Sequence, residues 1–397
     1  NSSRNLNFPK DWNNEEIPLL WTYNLHYFND LLASNIKLKY KKTHIKNWIT
    51  DNPRNYKGPG WDPYTLSLRI VNWIKFFSNE NSYSEMEIKS LLEQIRHLNK
   101  SIEYHLLGNH ILENSKALIF AGLFFQGDEP DKWLNKGIKI LKKEINEQIL
   151  DDGAHFELSP SYHCLMLDLF LEIYELTLTS SEQNQGALFN CRNILESTIK
   201  KMYFWLINIV HPDGEIPYFN DSAVGISKEP SYYVNKSLKL LPDLIKCDKN
   251  EVIFFKDSGY YKIIKDNFFI FFDCGDIGPL YQPGHGHADT LSFELSYLKY
   301  RLFINLGTSL YEPCPRRAYE RGTKSHTTLE VEDRDSSEVW SSFRVGSRAK
   351  VLKTNMKESS DAIEVYGEHD GYSFLNKKLI HKREICISKD NIIINDE

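Results

Sequence analysis

From about residue 20 to 245 apolar residues recur every three or four positions, and from about 250 onward they recur every two. The first spacing is that of helices burying one stripe, the second that of strands burying one face. Helices are expected over "TLSLRIVNWIKFF" (65–77), "MEIKSLLEQIRHLNKSIEYHLL" (86–107) and "NHILENSKALIFAGLFF" (109–125). "DKWLNKGIKILKKEINEQIL" (131–150), "SPSYHCLMLDLFLEIYELTL" (159–178) and the run 188–210 read the same way. Ser159 ahead of Pro160 predicts a helix start, a hydroxyl cap followed by proline at the first helical position. Strands are expected in "EVIFFKDSGYYKIIKDNFFIFFDCG", "TLSFELSYL", "YRLFINLG", "TTLEVED", "AKVLKTNMK", "AIEVYGEHDGY" and "KKLIHKREICIS". An unbroken series of helices followed by one of strands predicts two domains, 1–245 and 251–397, joined near "LPDLIKCDKNE". Antiparallel helices without intervening strands fit a bundle, a solenoid or a closed toroid, and the lack of a fixed repeat weighs against a regular solenoid. The second half reads as an antiparallel β-sandwich.

Length and charge narrow the partners. A chain of 397 residues is too long for one small core, which agrees with two domains. A formal charge of −6 gives no electrostatic reason to expect nucleic acid or an anionic membrane. No run approaches the roughly 18–20 apolar residues of a membrane span. The six cysteines (164, 191, 247, 274, 314, 386) are scattered, which predicts isolated thiols, neither a disulfide framework nor a cysteine zinc site. The first residue is asparagine and the last stretch, "DNIIINDE", resembles the middle of a β meander, so both ends are expected to be cropped.

Several polar clusters could carry chemistry. In "YQPGHGHADTLSFEL" (281–295), an extended backbone would point His285, His287 and Asp289 to one side. That set suits a metal, a proton-transfer site or an anion. In "GNHILEN" (108–114), Asn109, His110, Glu113 and Asn114 share one face at a helix start, which reads as a polar first turn or as an anion site. Tyr162 continues the stripe of Leu165, Met166 and Leu169, the pattern of a packed core tyrosine more than of a catalytic one. "DDGAHFELSPSYH" and "HPDGEIPYFNDSAVG" (211–225) are unusually polar loops. Arg321 and His326 flank a Gly-Thr turn, Asn305, Thr308 and Tyr311 emerge from a strand, and "SEVWSSFRVGSRAK" adds Trp340, Arg344 and Arg348.

Taken together and in this order, "WTYNLHYFNDLL", "WDPYTLSLRIVNW", "GNHILENSKALIFAGLFF", "DDGAHFELSPSYH", "DSGYY", "YQPGHGHADTLSFEL", "GTSLYE" and "RGTKSHTTLEV" resemble the heparinase II/III-like polysaccharide lyases. The resemblance implies an incomplete (α/α) toroid followed by an antiparallel β-sandwich, with a substrate cleft between them. It implies β-elimination of a uronic-acid-containing polysaccharide and a periplasmic or cell-envelope setting. By position, Asn109 resembles the amide that grips the uronate carboxylate, and His110 the neighbouring base or second neutraliser, which Glu113 would orient. Tyr162 resembles the catalytic tyrosine, and His285 the histidine that reaches the site from the β half. Arg69, Arg317, Arg321 and Arg344 are candidate contacts to carboxylate or sulfate, Glu113 and Tyr311 join them as substrate contacts, and Trp61 and Trp340 could stack on sugar rings.

The resemblance also implies a structural zinc held by His287, His326 and the residue at 305. Relatives carry an aspartate there, whereas this chain has Asn305, a poorer ligand. Asp289 is the nearby source of charge, and Thr327 stands where relatives have an asparagine after the histidine. Two other readings compete: a toroid glycoside hydrolase using carboxylates such as Glu157, Asp213 or Glu215, and a non-catalytic polysaccharide-binding or assembly factor on the same scaffold.

Overall fold

The computed structural model describes residues 4–54, 58–179, 185–245, 251–376 and 378–397. Residues 246–250 of the expected join, Cys247 among them, lie outside the described residues. The helical series runs α1 (Leu19–Tyr27), α2 (Leu38–Asp51), α3 (Pro63–Glu80), α4 (Glu85–Lys100), α5 (Gly108–Phe124), α6 (Asp128–Gln148), α7 (Pro160–Thr179), α8 (Gln185–Ile209) and α9 (Pro230–Leu240). The strands then follow: β1 (Val252–Phe255), β2 (Tyr260–Lys265), β3 (Phe268–Asp273), β4 (Phe293–Tyr297) and β5 (Tyr300–Phe303). After a short helix α10 (Pro315–Arg321) come β6 (Val339–Trp340), β7 (Arg344–Val345), β8 (Val351–Glu358), β9 (Ala362–His369), β10 (His381–Ser388) and β11 (Ile392–Asp396).

Helices precede strands as the periodicity predicts, with two local departures. The helix expected over 86–107 stops at Lys100. Beyond it the Glu103 N–H donates to the Asn114 side chain, and Leu107 takes a positive φ of 57°, so the chain turns before α5. "TTLEVED" is not a strand. Glu332 and Asp333 both sit at a φ of 53°, and the Thr327 and Thr328 hydroxyls bond the backbone at Phe293 and Thr290.

The chain forms two compact units, Asn1–Glu144 with Leu176–Arg192, and Ile145–Glu175 with Asn193–Glu397. The first is built around aromatic residues: Trp12, Trp48, Trp61, Trp73 and Trp133 are buried with Ile70, Phe77, Leu91 and Leu118. Burying each such side chain stabilises by about 1.5–3 kcal/mol, so packing rather than helix propensity holds α3, α4 and α5. Helix α4 starts on a capping box: Glu87 N–H donates to Ser84 Oγ at 3.3 Å, and Ser84 N–H to the Glu87 carboxylate at 2.6 Å.

The second unit carries two antiparallel sheets, ordered β1-β2-β3-β4-β5 and β11-β10-β9-β8. Tyr261, Ile263, Ile270, Phe272, Phe293 and Leu295 of the first share one core with Ile363, Val365, Ile385 and Ile387 of the second. Alternate residues of β9 and β10 are buried, which is the period-two pattern turned into the inner faces of a sandwich. Strands β6 and β7 form a small hairpin that pairs Val339 with Val345 and Trp340 with Arg344. The predicted cap of α7 is present, with Tyr162 N–H on Ser159 Oγ at 3.4 Å. No described helix is long and apolar enough to cross a membrane, and the five described cysteines are free.

Candidate active site

In the second unit the two polar loops meet around one carboxylate. Asp221 Oδ2 lies 2.8 Å from His285 Nδ1, and Asp221 Oδ1 lies 2.9 Å from His287 Nε2. The Arg317 guanidinium, from α10, donates to both Asp221 oxygens. Backbone bonds lock the same arrangement: Asp221 N–H donates to His285 O at 3.1 Å and His287 N–H to the Asn220 side chain at 2.9 Å. So the two histidines do face one direction, although residues 281–291 form an irregular loop and not an extended run. Glycine is required between them, because a Cβ on Gly286 would lie 2.4 Å from Ile277 O. Gly307 plays a similar part under the Asp221 loop. Its φ is +60°, a Cβ there would lie 1.9 Å from Ser222 O, and the next N–H, of Thr308, donates to that same oxygen.

His285 stacks on Tyr162 with ring centroids 3.8 Å apart and planes 29° apart. The Tyr162 and Tyr311 hydroxyls are 3.2 Å apart, and Phe343 stacks on Tyr311 and meets His285 edge-on. Glu157, buried in the loop before α7, lies 3.8 Å from His285 Nε2. Burial, then Tyr311 and Asp221, push the Tyr162 phenol well above its ordinary value, so it keeps its proton. Burial would lower His285, but the Glu157 and Asp221 carboxylates outweigh it and the imidazole is raised. Burial wins at His287, whose value is lowered. Asp221 is held well below the carboxylate range, since bonds from His285, His287 and Arg317 overcome the burial that opposes ionisation. The result is a neutral phenol against a proton-bearing imidazole, over a carboxylate fixed by an arginine. Such a pair can donate a proton and stabilise developing negative charge.

The first unit holds Asn109 and His110 at the start of α5. Asn109 Nδ2 donates to Tyr64 OH at 3.4 Å, and the His110 ring lies 4.4 Å from that of Tyr64. His110 is oriented by Glu103, not by Glu113: its Nδ1 lies 3.1 Å from Glu103 Oε1, whose partner oxygen accepts from Asn114 at 2.9 Å. Glu113 pairs with Lys116 at 2.8 Å and is nearly buried, which corrects its expected place beside substrate.

Besides Arg317, which is fully buried on Asp221, two more arginines expected to contact substrate are enclosed. Arg69 is fully buried, donates to Gln94 Oε1, His26 O and Gly60 O, and lies over the Trp48 ring at 3.8 Å. Arg321 is buried and bonds Gly286 O and the carbonyls of Trp340, Ser341 and Arg344. Both therefore clamp backbone. Trp61 is buried as well, with Nε1 on Asn52 O, so it offers no face to a sugar. Asp213 binds Arg301 through both oxygens, at 2.8 and 3.1 Å. Sequence reasoning passed over Asp221 and Glu103, and named Glu157 only as a carboxylate of the hydrolase reading. The polar run 211–225 was the one signal for Asp221.

His287 and His326 lie with ring centroids 5.3 Å apart, and His287 Nδ1 and His326 Nε2 are both buried without a partner among the described residues. Asn305 Oδ1 accepts from His326 Nδ1 at 3.0 Å and from Thr327 N–H at 3.3 Å, which turns its amide nitrogen, not a lone pair, to the remaining space. Asp289 does not help. It accepts from Asn220 N–H, and burial pushes its carboxyl up to about 7; burial, and then Asp289 beside it, raise Asp273 well above the ordinary carboxylate range. Among the described residues no three His, Cys, Asp or Glu side chains are grouped to hold a metal. Two imidazole nitrogens fall short of a closed zinc set, so zinc does not fit the residues present and no chemistry is routed through it here.

Residues 29–246 match the family model described as heparinase II/III N-terminus, and residues 248–397 match the one described as heparinase II/III-like, C-terminal. A heparin-sulfate lyase of Bacteroides stercoris is 27% identical over 331 residues, covering 76% of this chain and 45% of that protein. A heparin-sulfate lyase of Bacteroides thetaiotaomicron is 24% identical over 402 residues, covering 89% and 54%. The chain thus spans about half the length of these curated relatives. A crystal structure of heparinase III superposes with a TM-score of 0.71 at 20% identity, covering 91% of this chain and 59% of that one, which shows a shared fold.

Proposed function

Because the chain belongs to the heparinase II/III-like family, we propose that it is a polysaccharide lyase cleaving an acidic, uronate-containing glycan by β-elimination. The observation that carries this reading is the Tyr162–His285 stack, braced from behind by Asp221. In β-elimination a base removes the proton on C5 of the uronate, the C4–O bond breaks as the C4=C5 double bond forms, and an acid protonates the departing oxygen. The C5 proton is weakly acidic because the carbanion develops beside a carboxylate, so that carboxylate must be neutralised. In the second unit His285 is assigned to this task, its imidazole raised by the Glu157 and Asp221 carboxylates. Tyr162, kept protonated by burial, is the acid. His110, whose Nδ1 is turned to Glu103, is assigned the role of base by its position in the family motif. The relatives' names make a heparan-sulfate-like glycan the first substrate to try.

The test is incubation of the protein with a panel of uronate glycans, reading the ultraviolet absorbance of unsaturated sugar ends. Tyr162→Phe removes one hydroxyl and is expected to lower kcat at least about a hundredfold, the scale of a lost general acid, with an unchanged fold. Full activity in Tyr162→Phe would overturn the assignment, and new reducing ends without unsaturation would favour a hydrolase.

A further inference from the structure

The β6–β7 hairpin has only two residue pairs, too few to stand on its own. It is held from beneath by two buried arginines of α10. Arg317 donates to Ser342 O at 3.2 and 2.9 Å, and Arg321 donates to Trp340 O, Ser341 O and Arg344 O at 3.2–3.4 Å. The carbonyls are drawn inward while the side chains face out. Trp340 is 55% exposed, Phe343 is 44% exposed, and Arg344 is exposed as well. Trp340 and Arg344 are cross-strand partners, so they project from one face of the hairpin. Phe343 is continuous with the site: it stacks on Tyr311 and lies edge-on to His285 with ring centroids 6.1 Å apart. Arg317 closes the link, since the guanidinium that grips the hairpin tip also grips Asp221.

Exposed aromatic rings on a rigidly pinned hairpin need a reason, because folding gains nothing from leaving them in water. The apolar face of a pyranose ring packs on an indole, and a guanidinium binds carboxylate or sulfate through paired N–H donors. We propose that the hairpin is a glycan subsite, in which Trp340 receives a sugar ring and Arg344 its anionic substituent, next to the unit that reacts at Tyr162. This deepens the lyase reading and rests on it for the substrate class.

The test pairs kinetics with binding. Trp340→Ala and Arg344→Gln are each expected to raise KM for a sulfated uronate oligosaccharide about tenfold, with kcat within about twofold. Trp340→Phe is expected to retain the low KM. The same substitutions, made in Tyr162→Phe so that no ligand is consumed, are expected to raise the calorimetric Kd by the same factor. If Arg344→Gln weakens the sulfated chain more than its desulfated counterpart, Arg344 contacts sulfate; equal loss on both assigns it to carboxylate. Unchanged KM and Kd in both variants overturn the subsite while the lyase reading stands. Absence of unsaturated product from the unsubstituted protein overturns the lyase reading, and the Kd comparison then judges the hairpin alone. Absence of binding by the protein with its hairpin unsubstituted overturns the subsite, and the product assay alone then judges the lyase reading.

Discussion

Asp221 carries more of the site than any other residue, because four hydrogen bonds from three side chains converge on one buried carboxylate. Replacing it with asparagine keeps the shape but leaves the Arg317 cation buried without a counter-charge. Breaking such a pair costs about 3–5 kcal/mol, so Asp221→Asn is expected to lower the melting temperature clearly. It should also reduce kcat on the order of a hundredfold, since His285 loses the bond that sets its orientation and its raised proton affinity. Parallel melting and rate measurements check this, and a variant within twofold of the natural protein in both would contradict it. Asn305 supports a second substitution. A carboxylate there would join the two unpartnered imidazole nitrogens, so Asn305→Asp is expected to bind zinc at least about tenfold more tightly than the natural chain, measured by competition with a coloured chelator. The two residues also show what a sequence conceals. Asn305 was visible as a departure because it sits in a recognisable motif. Asp221 is one acid in a polar loop, 64 positions from His285, and only tertiary folding brings them together. Glu103 escaped notice for a similar reason. Helical spacing favours Glu113 as the partner of His110, whereas the reversal at Leu107 brings Glu103 back alongside it.

Elements were legible wherever local chemistry decides them. The start of α7 followed from Ser159 and Pro160, and the alternation of β9 and β10 from every second apolar residue. "TTLEVED" misled because β-branched residues suit a strand, while the hydroxyls of Thr327 and Thr328 find better partners in the neighbouring backbone. Burial of Arg69 and Arg321 was illegible too, since the carbonyls that receive them come from distant turns. The Ser159 cap can be tested at its own scale. Its hydroxyl takes the Tyr162 N–H and donates to Asp221 O at 2.9 Å, so it joins the start of α7 to the Asp221 loop. Ser159→Ala is expected to cost about 1–2 kcal/mol of stability. The accompanying fall in kcat should exceed any change in KM, because both Tyr162 and Asp221 lose an anchor. A pure stability loss with unchanged kcat would show that the cap does not position the site.

Across the whole molecule, buried histidines set the response to acid. His26 in the first unit is lowered to about 3 by burial and the nearby Arg69 cation. His163 and His369 in the second are lowered to about 3, His163 by burial and His369 by burial with His381 and Arg383 beside it. An unfolded histidine titrates near about 6.5, so below that pH the unfolded chain takes up protons that these folded sites refuse. Their stabilising contribution is complete above about 6.5 and is lost progressively as pH falls toward the depressed folded values. His285 has the opposite sign: its raised folded value contributes stability below about 6.5 that is lost as pH rises through that value. His155, His287 and His326 are lowered as well, while the raised Asp273 and Asp289 carboxyls join His285 with the opposite sign. The larger number of depressed sites predicts a melting temperature that starts to fall below about pH 6.5. Melting curves followed by tryptophan fluorescence between neutral and mildly acidic pH check this, since five of the eight tryptophans lie in the core that holds His26. A flat profile down to the carboxylate range would contradict it.

Gly307 turns the Asp221 loop into a lever with a very short arm. One methyl group at this position would press on Ser222 O, and the displaced neighbour is the acid that aims two imidazoles. Gly307→Ala should therefore behave like an active-site lesion although no atom of residue 307 needs to meet a sugar. A screen for inactive yet soluble variants would recover this glycine alongside Tyr162 and His285, and by its phenotype alone it would be mistaken for part of the catalytic machinery.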